Sequence, residues 1–299
     1  MVSESRRRRV KTAAAWVLAG VCCVLVAIAA VLGVERTTGT TQSSAIGGGS
    51  VTVSSAGYVP PTMAQVEKLP EARYNTVIDG LMPYQNASVP SASLTVYTIN
   101  ADTPIFGADQ KVAVARFGFR DFLGNPTVVV PVKFHGPWVL VMTPARQTLP
   151  SRSAGNAPAQ TVGWIRATAM TRMTTLTNRV VISLSTQTLS ILATNGSVQR
   201  AFKVGVGTTA TPTPSGVTGY LQARYLDPSQ GESVYPIDLT SLHSSAADEP
   251  FGGKDGGLIG VHYFNVHDGA VSHGCVRLSE DAITAINKLP LGTSVTIVT

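Results

Sequence analysis

The sequence predicts a mainly β protein: an N-terminal transmembrane helix, a small β-barrel, then a second β-rich unit with few helices. Three observations predict it. Glycine and proline are plentiful, at 28 and 18 of 299 residues, which favours short strands and turns over long helices. A long uncharged apolar run lies near the start. Beyond residue 93, alternating or β-branched stretches recur between turn-forming clusters, the pattern of short strands. Charged residues are only 13%, about half the usual ~25%, which excludes a charge-rich disordered chain and a coiled coil. The net charge is +6, but Arg6, Arg7, Arg8, Arg9, Lys11 and Arg36 against Glu4 and Glu35 place most of that excess in the first 36 residues. The basicity belongs to one tail, so a nucleic-acid partner loses its main support.

That tail, residues 1–11, precedes an apolar run at 12–34, which is 23 residues long. A bilayer needs about 20. The flanking basic cluster stays on the cytoplasmic side, so the rest of the chain is expected outside the cell membrane, held by a single-pass anchor. A cleaved signal peptide has an apolar core of only about 7–15 residues. This run is longer and ends in bulky Val31, Leu32 and Val34, so the anchor is read as retained. Cys22 and Cys23 sit mid-run after Val21, without the small residue that precedes a lipidated cysteine.

Residues 35–61 are rich in Thr, Ser and Gly and read as a flexible linker. Residues 62–90 read as a short helical segment. Thr62 is placed to cap a helix from Met63 to Leu69 that Pro70 ends, and Ala72 to Met82 form a second helical piece. The small barrel is expected at 91–172, with strands at Ser93 to Ile99, Thr127 to Val132, Trp138 to Met142 and around Trp164. Trp138 and Trp164 either line a groove or fill the core. The second unit spans 176–299. Its strands are expected at Val180 to Leu184, Thr188 to Leu192, Phe202 to Val206, Tyr220 to Ala223 and Ser294 to Val298, with a tight turn at Asn195-Gly196. The one late helix runs from Asp281 to Leu289 behind Ser279.

The chemistry gathers around Cys275. With Cys22 and Cys23 in the anchor, it is the single thiol of the exported part and has no partner for an intrachain disulfide. His262, His267 and His273 lie within the thirteen residues before it. A cysteine nucleophile needs a lowered thiol pKa or an adjacent base, and histidine is the usual base. Backbone N–H groups around Gly274 and Cys275 are placed to hold an oxyanion. A zinc site from the same His and Cys residues matches no standard ligand spacing and no HExxH helix is present, so no metal is assigned. His135 and His243 stand alone and read as surface or satisfied structural residues. Arg277 either is a solvated charge or faces an anionic substrate.

At these residues the sequence resembles a known family. SHGCVRLS at 272–279, with LIGVH ending at His262, is similar to the signature of the YkuD-type L,D-transpeptidase catalytic domain. The paired strands NRVVISLSTQTLSILATNG and the loop VGVGTTATPTPSG resemble the opening of the same domain. The resemblance covers about 176–299 and implies a β-sandwich with Cys275 as nucleophile and His262 as base. It also implies that His273, Gly274 and Cys275 line the oxyanion side, with Ser272 supporting the loop; Arg277 and Tyr263, beside these residues, are the substrate-binding candidates. Two features depart from the family pattern: the short interval from His262 to Cys275, and Tyr263 where a small residue is usual. His267 stays a rival base, and His273 a geometric competitor. The segment VPVKFHGPWVLVMTPAR with TVGWIRA resembles a bacterial Src-homology-like β-barrel.

The implied reaction removes the terminal D-alanine of a peptidoglycan tetrapeptide stem through a Cys thioester and passes the acyl group to an amine of a second stem. No cofactor is needed, the partners are stem peptides, and a carbapenem is the expected covalent inhibitor. Four other readings are weighed. Water as acceptor gives an L,D-carboxypeptidase. A sortase-like protein transpeptidase would need a Thr-Leu-x-Thr-Cys strand, which is absent; a papain-like murein endopeptidase would place its Cys before its His. A non-enzymatic wall-binding protein would have no need of Cys275 and His262.

Overall fold

The computed structural model describes residues 58–228, 232–248 and 257–299. The expected anchor at 12–34, and the linker up to residue 57, lie outside them. Among the described residues no helix is long and apolar enough to cross a membrane.

Thr62 caps a helix, α1 (Met63–Val66), as its sequence suggests. Gln65 N–H donates to Thr62 Oγ1 and Thr62 N–H donates back to Gln65 Oε1 at 2.8 Å, a reciprocal cap that satisfies two end donors. The helix stops at Val66, short of the expected Leu69. The second helical piece at 72–82 is absent. Its backbone donors are taken by the β unit that follows: Ala72 N–H donates to Arg116 O and Ile78 N–H to Arg146 O. Tertiary pairing overrides local helical spacing there.

Nine strands form the first β unit: β1 (Met82–Pro83), β2 (Thr95–Ile99), β3 (Thr103–Phe106), β4 (Ala113–Phe117), β5 (Val128–Val129), β6 (Pro131–His135), β7 (Trp138–Thr143), β8 (Thr161–Arg166) and β9 (Met170–Thr175). One sheet runs β4-β3-β8-β7-β6 with β1 also on β8, and a second runs β5-β2-β9. Only Val130 separates β5 from β6, so the single strand expected over 127–132 bends from one sheet into the other. Ile105, Phe117, Val129, Val139, Val141 and Ile165 fill the core between them. Trp138 and Trp164 are both buried, with Phe106, Leu140 and Met142, which settles them as core residues.

The second unit contains β10 (Asn178–Ser183), β11 (Thr188–Ala193), β12 (Val198–Lys203), β13 (Gly205–Gly207), β14 (Val217–Asp227), β15 (Glu232–His243), β16 (Leu258–Tyr263), β17 (Gly269–Ser272), β18 (Val276–Leu278), α2 (Glu280–Ile286) and β19 (Ser294–Val298). The order is β12-β11-β10-β19-β14-β15-β16-β18-β13-β17. β14 joins the two halves: Val217 to Tyr220 pair with β19 and Leu221 to Asp227 with β15. Both halves contribute to one core, with Val180, Ile182 and Leu189 from one side and Ile259, Val261 and Val276 from the other. Each such side chain contributes about 1.5–3 kcal/mol when fully buried. α2 adds Ala282, Ile283 and Ile286; Ser279 caps it, accepting from Ala282 N–H. The strand expected at 202–206 is two strands. Lys203 ends β12, Gly205 begins β13 in the other half of the sheet, and Val204 between them is buried and donates to Gln187 O.

Residues 55–299 pack as one compact unit, and the seam between the two β units is built from both. Tyr220, from β14, is buried among Val96, Phe106 and Trp138 of the first unit. Ser241 Oγ donates to Gln160 Oε1 at 2.6 Å. His243, at the end of β15, donates from Nε2 to Tyr74 O at 2.8 Å, since a carbonyl can only accept. Burial and the nearby Arg146 guanidinium push its imidazole down to about 3. On the same strand, burial raises the Asp238 carboxyl to about 6, although Arg224 Nε lies 2.7 Å from its Oδ1.

These two groups give opposite pH dependences. As pH falls below the ordinary histidine value of about 6.5, the unfolded chain takes up a proton that folded His243 refuses, so stability is lost, by about 2 kcal/mol at pH 5. Asp238 binds its proton earlier in the folded state, so from pH 7 to 5 it returns about 1 kcal/mol. Urea unfolding at pH 7 and pH 5 should show a small net loss for the native protein and a larger loss for Asp238→Asn. His243→Gln should reverse the sign and gain stability. Identical pH dependence in all three would sink the assignment.

Candidate active site

Cys275 lies in the turn between β17 and β18, half-buried, at the edge of β16. Its sulfur is held between two backbone groups of that strand. Gly260 N–H donates to Sγ at 3.4 Å, and the thiol donates to Leu258 O at 3.7 Å.

β16 and β18 are parallel, with Val261 beside Val276 and His262 beside Arg277. Val261 and Val276 are buried in the core, so their neighbours in the pleat face the other way. A side chain at Gly260 would point at Cys275 Sγ, its Cβ 3.7 Å away. His262, two residues on, therefore projects on the face that carries Cys275, and so does Arg277. His262 donates from Nδ1 to Tyr263 O at 3.0 Å, which fixes the tautomer. Phe264 packs edge-on to the imidazole, and the Arg277 guanidinium lies over the same Phe264 ring at 4.1 Å. Arg277 Nε is buried without a hydrogen-bond partner among the described residues.

The other two histidines are placed differently. His267 lies beyond the end of β16, in the loop before β17, where Nδ1 donates to Phe264 O and Asn265 O. It has the same tautomer as His262 but no strand under it. His273 is exposed. The extended spacing that would set it on the face of Cys275 is broken at Gly274, whose φ is +117°, a conformation closed to other residues. A Cβ there would also sit 3.2 Å from Ile259 Cδ1. Tyr263 follows His262 and so points to the opposite face, where it packs against Tyr235 and the core and donates to Asn265 Oδ1. That placement takes it away from the face that carries Cys275.

The turn is backed from below. Ser272, buried, donates from Oγ to Cys275 O at 2.6 Å and accepts from Gly274 N–H at 3.2 Å. The Gly274 amide, expected to face an oxyanion, is thereby engaged. The loop at 208–216 closes the other side. Thr208 N–H donates to Ser272 O at 3.0 Å, and buried Thr213 accepts from Gly207 N–H at 2.8 Å while donating to Gly274 O at 2.7 Å. Gly260, Phe264, Thr208 and Thr213 were not singled out from sequence. Thr213 lay within the quoted TPTPSG loop, and Gly260 within LIGVH, but nothing local in either says what it touches. Among the described residues, no group of three His, Cys, Asp or Glu is placed to hold a metal.

The family model of the YkuD L,D-transpeptidase catalytic domain matches residues 177–297. No curated protein matches the chain. Among solved structures, an L,D-transpeptidase from Mycobacterium smegmatis is 16% identical, with 54% of this chain and 91% of that chain covered and a TM-score of 0.34. L,D-transpeptidase 1 of Mycobacterium tuberculosis is also 16% identical, covering 46% and 78% with a TM-score of 0.31. L,D-transpeptidase 3 of the same organism, in complex with a faropenem-derived adduct, gives 16%, 54%, 91% and 0.33. TM-scores this low leave the assignment with the family match, whose span holds Cys275, His262 and the whole of the backed turn. The chain is a cysteine acyltransferase that carries, at residues 177–297, a peptidoglycan L,D-transpeptidase catalytic domain of the YkuD type.

Proposed function

We propose that the enzyme cuts the bond between a diamino acid and the terminal D-alanine of a peptidoglycan tetrapeptide stem and joins the acyl group to an amine of a second stem. The observation that carries this reading is the shared face of Cys275, His262 and Arg277 within the matched domain. Cys275 Sγ attacks the scissile carbonyl carbon, and its proton passes to His262 Nε2. The amide C–N bond breaks, D-alanine leaves with that proton on its amine, and a thioester remains. The second stem's amine then attacks the thioester, loses its proton to His262, and the thiol is regenerated. Arg277 offers a fixed positive charge beside the reacting centre, suited to a stem carboxylate. Water in place of the amine gives a carboxypeptidase from the same intermediate.

Topology belongs to the same proposal. The basic tail and apolar run at 1–34 support a retained anchor with the catalytic unit on the wall side of the cell membrane. The first β unit, a small Src-homology-like barrel by its sequence resemblance, then acts as a spacer or wall contact.

Mixing the ectodomain with a carbapenem, or with defined tetrapeptide stems, and reading the intact mass tests the chemistry. One covalent adduct is expected at Cys275, with D-alanine released from the stem; Cys275→Ala should fold and form neither. Release of D-alanine by that variant at the native rate would overturn the mechanism.

Removal of the base should slow acylation by about 10²–10⁴. His262→Gln should fall in that range and lose the histidine ionisation from its pH–rate profile, while His267→Ala should lose far less. The reverse ranking would move the base to His267. On cells stripped of their wall, added protease should release a fragment of ectodomain size; complete protection would overturn the topology.

A further inference from the structure

The hydroxyl of Thr213 occupies a position in the site that a structural tie alone does not require. It sits 4% exposed between Gly207 and the turn that carries the nucleophile. A hydroxyl has one hydrogen to give and lone pairs to receive. Gly207 N–H takes the receiving side at 2.8 Å, so the hydrogen is directed to Gly274 O at 2.7 Å. Gly207 cannot be displaced to loosen this arrangement, since any side chain there would run into the backbone of 211–213.

Gly274 O and the N–H of Cys275 belong to one peptide group, which is planar and trans. With the carbonyl held toward Thr213, the Cys275 N–H must point the opposite way. The neighbouring amide, Gly274 N–H, is already given to Ser272 Oγ. When Sγ adds to a carbonyl, charge develops on its oxygen, and a donor aimed beforehand at that oxygen is worth far more than one that must reorient. On the L,D-transpeptidase reading above, we propose that Thr213 is a positioning residue for acylation: through the Gly274 carbonyl it fixes the Cys275 N–H as the oxyanion donor.

Two reactions of the same sulfur separate this role from a general loosening of the turn. Opening of a carbapenem ring passes through an oxyanion: the S–C bond forms, the ring C–N bond breaks, and the ring nitrogen takes the proton. Alkylation by iodoacetamide forms an S–C bond at a saturated carbon and expels iodide, with no oxyanion. Thr213→Val keeps the shape and deletes the hydroxyl. It should lower the acylation rate by about 10-fold or more, approaching the ~10²–10³ seen when a donor is removed outright, with alkylation rate and pH midpoint unchanged. Thr213→Ser, which keeps the hydroxyl, should restore most of the acylation rate. If the valine variant does not fold, Thr213→Ala carries the same two measurements. Native acylation in the variant, or an equal fall in both reactions, overturns the proposal. Failure of the native ectodomain to be acylated at all overturns the reading of the site instead.

Discussion

A three-residue strand, β13, lies between β17 and β18, which are consecutive in sequence, and that insertion decides the geometry of the site. The chain leaving β17 must pass over the end of β13 to enter β18, and the residues that make the passage are His273, Gly274 and Cys275. The loop leaving β13 starts from the same end, because β13 and β17 run parallel with Gly207 beside Ser272. Turn and loop are therefore pressed together by sheet order alone. Their backbone groups, which no strand can pair at that point, are satisfied by Ser272 and Thr213. Buried polar groups without such partners would each cost about 1–3 kcal/mol.

The same sheet order brings His262 and Cys275 together. β18 lies between β13 and β16, so a residue just before β18 and a residue near the end of β16 meet across one parallel pairing. Rigidity comes from the buried side of these strands, where Ile259, Val261, Val276 and Leu278 are packed into the core. The exposed side is free to carry His262, Arg277 and the thiol. A catalytic face backed by a filled core holds its groups more firmly than loops would.

Much of this was legible from residue order and type. Cys275 stood out as a thiol among histidines, the strand under His262 was visible in the apolar run LIGV, and the cap residues Thr62 and Ser279 act where their chemistry places them. The failures have physical causes. Residues 72–82 have helical spacing, yet their amides pair with the first β unit, a contact that no local window contains. Strand β15 was not delimited because it carries buried Asp238, Thr240, Ser241 and His243, which interrupt the apolar alternation. Tyr263 adjoins His262 in sequence, and the pleat sends the two to opposite faces. His273 and Cys275 looked like a same-face pair until Gly274 turned the chain. The partners of Thr213 and Gly260 lie 61 and 15 residues away, beyond what spacing can reveal.

The hydroxyl contact between Thr213 and Gly274 also ties the chemistry to the order in which the protein can be assembled. Closing a chain segment of this length costs entropy before any contact offsets it, and non-local contacts of this kind are slow to form. A chain emerging unfolded thus carries Cys275 without the Gly260 amide, the oriented imidazole or the fixed peptide plane beside it. The site is assembled only with the final topology, after its non-local contacts have formed.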